Sequence, residues 1–170
     1  TPSLKRSNAF DIVAAECKAV RENVGLLDIS GFSRFEVSGD GAEAWLNTIF
    51  ATKLPKAGRS RLAVALGEDG RLKGDLTLFN WGDGTYWIMG SYYLRRWHMR
   101  WFDDHMGADV QVRDLGDEVC GFSLSGPNAR KVIEKLSDGP VGDLPFMGCG
   151  AFDIGMLRCK VGRMSVTGEL

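Results

Sequence analysis

A central stretch of the sequence alternates between β-rich runs and turn residues. The three runs are Leu62–Leu66, which is short and apolar, Arg71–Phe79, which alternates apolar and polar positions, and the aromatic-rich Thr85–Gly90. Turns rich in glycine and aspartate separate them, a pattern typical of consecutive antiparallel strands. The stretch therefore predicts a three-stranded meander around which the rest of the chain is arranged.

The middle strand contains one carboxylate, Asp75, directly after Gly74. Aspartate is depleted in strand interiors, and a glycine within a strand often marks the close approach of a ligand or another backbone. By parity, Asp75 also shares a face with Arg71, Lys73 and Thr77, as a side chain that simply points to water would. The residues alone leave both interpretations open.

Apolar residues that recur every three to four positions predict four helices. These cover Phe10–Asn23, Ala42–Phe50, Tyr92–Met106 and a segment that ends at Leu136 and has Pro127 in its first turn. The second helix has an apolar stripe of Ala42, Trp45, Leu46 and Ile49. Further strands are predicted at Arg34–Ser38, Val110–Arg113, Asp143–Met147, Ala151–Gly155 and Leu157–Thr167.

The helix that starts at Tyr92 is rich in aromatic and basic residues. Its expected apolar face consists of Leu94, Trp97, Trp101 or Phe102, and His105. A membrane or nucleic-acid surface is the alternative, but the near-neutral chain favours a helix packed on a sheet. His98 and His105 have no acidic partners at metal-ligand spacing, so we expect structural roles for both.

One sequence pattern occurs twice at a constant offset. Phe35–Ala42 and Phe122–Ala129 both contain a β-rich run followed by Ser-Gly-x-x-Ala. Two strand–Ser-Gly–helix units, near residues 34–50 and 121–136, predict an internally duplicated α+β fold with helices on one side of antiparallel sheets. Chance similarity is the weaker alternative.

Composition describes an ordinary domain of 170 residues with 44% hydrophobic and 25% charged residues and a net charge of −1. It carries no electrostatic signature for nucleic acid or an anionic membrane, and no apolar run long enough to span a bilayer. Four scattered cysteines and two histidines favour reduced thiols in an intracellular protein over a disulfide framework or a metal site. A start at Thr-Pro and an end within a β-rich run suggest a piece of a longer polypeptide.

Several motifs, in the right order, resemble the aminomethyltransferase (glycine-cleavage T-protein) family. Ala19–Ser30 is similar to the family's opening motif, Gly70–Thr77 to its catalytic-aspartate strand, and Phe122–Ala129 to its L-x-G-P-x-A step. Ser165–Glu169 resembles its [SY]-x-T-G-E motif. Tyr93–Met106 looks most like the folate-binding part of the dimethylglycine and sarcosine dehydrogenases.

This resemblance implies interleaved antiparallel α+β subdomains around a tetrahydrofolate channel. Residues 1–170 would form the N-terminal part of that folate-binding domain, with a C-terminal barrel beyond this sequence. In the dehydrogenase branch, a flavin (FAD) domain would precede it. The implied chemistry is the transfer of a one-carbon unit from an amine to tetrahydrofolate.

The resemblance also assigns roles to individual residues. Asp75 takes the place of the catalytic aspartate, and Glu169 that of the glutamate that anchors the pterin ring. The expected pterin and folate contacts are Phe32, Trp87, Met89 and Ser91. Phe32 and Ser91 depart from the usual Met and Asn of the T-proteins and fit the dehydrogenase branch better.

Three functions follow as hypotheses. The first is the folate-binding, one-carbon-transfer region of a dimethylglycine or sarcosine dehydrogenase-like enzyme, with a small amine and folate as partners. The second is a stand-alone aminomethyltransferase or a folate-dependent demethylase, and the third is a non-catalytic folate-binding module of the iron–sulfur-maturation type. We expect a cytoplasmic location, or the mitochondrial matrix in a eukaryote, and no activity from this chain by itself.

Overall fold

A computed structural model describes residues 6–165. Helices and strands are mixed along the chain, and every pairing between the strands is antiparallel. The predicted α+β class with antiparallel sheets is therefore confirmed. In chain order the elements are α1 (Phe10–Glu22), β1 (Gly25–Asp28), β2 (Ser33–Ser38), α2 (Ala42–Ile49), β3 (Arg59–Leu66), β4 (Leu72–Asn80), β5 (Tyr86–Gly90), α3 (Arg95–Asp104), β6 (Gln111–Asp114), β7 (Phe122–Ser125), α4 (Ala129–Leu136), β8 (Cys149–Ile154) and β9 (Leu157–Gly162).

The main sheet has five strands in the order β3-β4-β5-β2-β6. Its first three strands are the predicted meander, with β3 beginning three residues earlier than expected because Arg59 already pairs with Asn80. Gly70, at φ 73°, closes the first turn in a conformation that favours glycine. The turn residues therefore fix the register of the central strands.

One face of this sheet carries the core, which α2 and α3 cover. The predicted stripe of α2 is buried throughout, as the residues Ala42, Trp45, Leu46 and Ile49. From α3, the ring of Phe102 makes edge-to-face contacts with Phe35 of β2 at 5.2 Å and with Trp45 of α2 at 5.8 Å between centroids. Such pairs add to the free energy gained from burying the rings.

The buried face of α3 differs from the predicted one. His98 and Phe102 are its buried residues, whereas Leu94 and His105 are exposed. Leu94 belongs to a 3₁₀ turn that precedes α3, so it does not share the helical phase of the residues that follow. His105 caps the C-terminal end of the helix. The sequence pattern gave Phe102 as one of two alternatives and placed His105, not His98, on the buried face.

The β8–β9 hairpin lies over the opposite face of the sheet. Lys160 of β9 places its ammonium group 4.9 Å from the ring of Trp81 and 5.1 Å from that of Trp87, and pairs with Asp83 at 3.2 Å. These cation–π and ionic contacts attach the hairpin to the end of the sheet where β4 meets β5.

The prediction of a strand at Asp143–Met147 is wrong. Residues 141–143 form a 3₁₀ turn, and the chain then runs irregularly to residue 148. Pro145 has no N–H to donate to a ladder, and its carbonyl instead accepts from the N–H of Gly148 at 2.7 Å. The last predicted strand ends at Gly162, and its final residues, 166–167, lie outside the described range.

The two Ser-Gly-x-x-Ala segments adopt the same local geometry. Gly39 and Gly126 have φ values of 106° and 112°, and each carbonyl accepts from the N–H of the alanine three residues later, Ala42 or Ala129, at 3.0 and 2.9 Å. The first segment connects β2 to α2, and the second connects β7, which pairs with β1 in a separate ribbon, to α4. Because α4 begins at Ala129, Pro127 lies in the preceding turn and not in the first helical turn as predicted.

Candidate functional site

Asp75 lies in β4 on the face of the main sheet opposite the helices. Its neighbours Gly74 and Leu76 are buried toward α3, and the carboxylate itself is exposed. Thr77 shares its face and pairs with Met89 of β5. The strand therefore presents one carboxylate to solvent above a closely packed core.

A depression of about 370 Å³ lies at the ends of β2 and β5. Phe32 precedes β2, and Ser91 follows β5, so the antiparallel pairing of these strands brings the two residues to the same place. The Ser33 hydroxyl donates to the carbonyl of Ser91 at 3.3 Å and joins the two strand ends. The lining residues are Asp28, Ile29, Gly31, Phe32, Ser91, Tyr92 and Tyr93.

Asp75 lies at the same end of the main sheet as this depression. The pairing of β4 with β5 runs from Asn80 and Tyr86 to Thr77 and Met89. Asp75 lies two residues beyond the last pair on β4, and Ser91 lies two residues beyond it after β5. Ser91 lines the depression and Asp75 does not, so the register places the carboxylate in the neighbourhood of the depression without a contact to it.

A buried guanidinium shapes the loop on the other side of the depression. Arg34 is 4% exposed, and its two terminal nitrogens donate to three carbonyls. The distances are 2.8 Å to Ile29, 3.1 Å to Ser30 and 2.9 Å to Phe32. Three bonds from one planar group fix the course of the loop that carries Phe32.

Asp28 begins this loop and is held as a carboxylate. The Ser30 hydroxyl and N–H lower the pKa of Asp28, and the N–H donates to its Oδ1 at 2.7 Å. Burial lowers the pKa of Arg34, while the neighbouring Cys120 and Asp28 side chains act in the opposite direction. The rim of the depression thus carries a negative side chain next to a buried positive one.

The other predicted site residues are distributed unevenly. Met89 lies between Ser91 and Trp87 on β5 and is partly buried. Trp87 pairs with Phe79, about 13 Å along the strand from Asp75. Its indole N–H donates to Glu36 at 3.2 Å. The structure therefore brings Phe32 and Ser91 together and places Asp75 and Met89 at the same end of the sheet. Trp87 lies in the aromatic cluster under the hairpin.

Glu169 lies outside the described residues, and so does most of the Ser165–Glu169 motif. Across residues 6–165, no group of three or more His, Cys, Asp or Glu side chains is placed to hold a metal ion. In the same part of the chain, no helix is long and apolar enough to cross a membrane.

Sequence reasoning missed four residues at or near this site. Tyr92 and Tyr93 add two exposed rings to the depression, the latter 92% exposed, and their place directly after Ser91 was the available signal. Arg34 was a charged residue inside a short apolar strand, which is itself unusual. His98 contacts a carbonyl that lies 25 residues away in the chain, which no local pattern indicates.

Two solved structures share this fold. The chain is 26% identical to the glycine cleavage system aminomethyltransferase T from Bartonella henselae, with a TM-score of 0.74 over 81% of this chain and 38% of that one. It also shares its fold with a chain of the heterotetrameric sarcosine oxidase from Corynebacterium sp. U-96, at a TM-score of 0.64 and 17% identity over 95% of this chain and 82% of that one. The fold is that of the aminomethyltransferase class.

The family described as the GCVT N-terminal domain matches residues 2–170, and the chain belongs to it. The predicted membership of the aminomethyltransferase family is confirmed. Dimethylglycine dehydrogenase of Mus musculus mitochondria is 30% identical over 99% of this chain. The aminomethyltransferase of Chloroherpeton thalassium is 30% identical over 94% of it. The chain spans 20% of the first relative and 45% of the second.

Proposed function

We propose that this chain is the tetrahydrofolate-binding, one-carbon-transfer region of a dimethylglycine or sarcosine dehydrogenase-like enzyme, with Asp75 as its catalytic carboxylate. One observation supports the proposal: the ends of β2 and β5 and the loop held by Arg34 bring Ser91 and Phe32 to one depression, and Asp75 lies at the same end of the sheet. The family resemblance assigns each of these three residues a role toward folate or substrate.

The depression has the character that a pterin ring requires. Its volume of about 370 Å³ lies at the lower end of the range for small-molecule sites. The rings of Phe32, Tyr92 and Tyr93 offer flat apolar contact, and Ser91 and Asp28 offer polar contacts at the edge. We assign Glu169, Met89 and Trp87 to folate binding from the family resemblance.

Tetrahydrofolate supplies, when bound, the nitrogen that accepts the one-carbon unit. The contribution of this chain is a carboxylate at the edge of the site. Asp75 is exposed, so its Oδ atoms are free to approach a cationic amine carbon and to accept a proton from a nitrogen. The buried Gly74 and Leu76 on either side of it hold the strand that carries the carboxylate in place.

Membership of the dehydrogenase branch would imply a second domain, one that binds a flavin. Phe32 and Ser91 fit that branch better than the T-proteins, so we propose a flavin domain with FAD in the same polypeptide and a methylated amine as substrate. A stand-alone aminomethyltransferase is the alternative, which the 30% identity to the Chloroherpeton thalassium enzyme supports equally. The flavin content of the complete gene product separates the two, and we expect the isolated chain to be inactive.

Calorimetric titration of the complete gene product with tetrahydrofolate tests the proposal. Phe32→Ala removes a ring of the depression, and loss of about 1.4 kcal/mol or more of stacking and burial should weaken binding at least about tenfold. Phe146→Ala removes an exposed ring outside the depression and serves as the matched control. Absence of binding by the wild type, or equal effects of the two variants, would contradict the assignment.

A further inference from the structure

The strand that carries Asp75 contains an irregularity just before it. In the β3–β4 ladder, Ala65 pairs with Gly74 while Leu66 pairs with Leu72. Lys73 is therefore left without a partner on β3, which is the mark of a β-bulge. Bulges bend the strand and re-aim the side chains that follow, and they are common beside active sites.

The carbonyl of Lys73 contacts His98 of α3, on the helix-covered face of the sheet. His98 is 1% exposed, and its Nε2 lies 3.3 Å from the carbonyl oxygen of Lys73. A carbonyl oxygen accepts hydrogen bonds and does not donate them, so Nε2 carries the proton. Nδ1 is then an acceptor, and it is buried without a hydrogen-bond partner in the described part of the chain.

This arrangement requires the residue between Lys73 and Asp75 to be a glycine. A Cβ built on Gly74 would lie 2.9 Å from Nε2 of His98, which is closer than real Cβ contacts. The glycine therefore lets the imidazole reach the bulge. Gly74 and His98 therefore fit each other sterically, and Gly74 is the residue directly before Asp75.

A histidine at position 98 is unfavourable for stability in one respect, which suggests that its N–H donor has a role. An apolar ring would fill the same space without a buried, unpaired Nδ1, and burial lowers the pKa of His98 and keeps the ring neutral. The ring also stacks on Phe102 at 6.0 Å, a contact that a phenylalanine would preserve. What histidine alone adds at this position is one N–H donor aimed at the bulge.

We propose that His98 is a positioning residue for one-carbon transfer: its Nε2–H, through the Lys73 carbonyl, fixes the bulge and thereby the direction of the Asp75 carboxylate. The inference rests on the proposed function of Asp75. His98 would thus affect the rate of the chemical step although it contacts neither folate nor the amine.

Two substitutions in the complete gene product separate positioning from packing. His98→Phe keeps the ring and its stack but removes the donor, whereas His98→Gln keeps an N–H of similar reach. A shift of about 1 Å in a catalytic group costs up to about a hundredfold in rate, so His98→Phe should lower kcat at least about tenfold. Its tetrahydrofolate Kd should stay within about threefold of the wild type, and His98→Gln should retain most of kcat.

Met99→Ala provides the control for a loosened helix. Met99 is a partly buried residue of α3 that packs against the core, and its loss leaves the His98 ring and its stack on Phe102 in place, so kcat should remain near that of the wild type. A kcat loss in Met99→Ala equal to that in His98→Phe would overturn the inference, as would full activity of His98→Phe or failure of His98→Gln to restore kcat. A wild-type protein that transfers no one-carbon unit would instead remove the proposed function, and the inference with it.

Discussion

The guanidinium of Arg34 allows a quantitative test of how the loop beside the depression is held. Arg34→Met keeps much of the buried stem but removes three hydrogen bonds, to the carbonyls of Ile29, Ser30 and Phe32. Arg34→Lys keeps the charge, but an ammonium group cannot reproduce the planar fork. Comparison of the two variants therefore separates the effect of the positive charge from the effect of the hydrogen-bond geometry.

The expected loss of unfolding free energy depends on how exposed the three acceptor carbonyls are. Hydrogen bonds from a charged group contribute about 1.5–3 kcal/mol each when both partners are buried. The loop carbonyls belong to residues that are exposed or half-buried, so water can replace part of what is lost. We therefore expect Arg34→Met to lower the free energy of unfolding by about 2–4 kcal/mol and Arg34→Lys by about half as much.

Urea unfolding of the three proteins gives the free energies, and hydrogen exchange of residues 28–33 shows whether the loop itself is released. Arg61→Met is the control, because Arg61 is an exposed arginine on β3 and its loss should stay within about 0.5 kcal/mol. Arg34 does not hold the loop if Arg34→Met is no less stable than this control, or if it destabilises the protein while hydrogen exchange of the loop is unchanged.

Two further predictions concern backbone and pH. Gly39→Ala and Gly126→Ala should each cost more than about 2 kcal/mol in unfolding free energy, because a Cβ there would overlap a carbonyl oxygen in a left-handed backbone. Gly70→Ala, at φ +73° in open space, should cost about 1 kcal/mol, and equal losses in urea titrations would contradict this. Burial lowers the folded-state pKa of His98 below the 6.5 of the unfolded chain. Its stabilising contribution is therefore complete above about pH 6.5 and lost as pH falls through the lowered pKa. Unfolding of wild type and His98→Gln between about pH 7.5 and 5 measures this, and a constant difference between them would contradict it.

Local signals determined much of the fold. The turn glycines and the alternation of the central runs identified the meander, and the spacing of Trp45, Leu46 and Ile49 identified the buried side of α2. These features depend on residues within a few positions of one another. The α3 face was misassigned because a 3₁₀ turn at Tyr92–Leu94 shifted the helical phase, and Pro145 ended a β-rich run that composition alone described as a strand.

The site was less accessible to sequence reasoning, for a physical reason. Asp75, Phe32 and Ser91 were identified through family resemblance, and no periodicity indicated that Phe32 and Ser91 would line one depression. The contributions of Arg34 and His98 depend on carbonyl groups, which every residue has and which no sequence pattern distinguishes. The partner of His98 is a bulge at Lys73, a departure from regular pairing that strand alternation cannot reveal.

Asp75 is the proposed catalytic carboxylate of a folate-dependent transfer, and its charge can be removed by one substitution. Asp75→Asn in the complete gene product keeps the size and a hydrogen-bonding group of the exposed side chain. We expect a loss of one-carbon transfer of about a hundredfold or more, with tetrahydrofolate affinity by calorimetry nearly unchanged. Transfer by the variant at the wild-type rate would contradict the claim and return Asp75 to an ordinary solvated residue of β4.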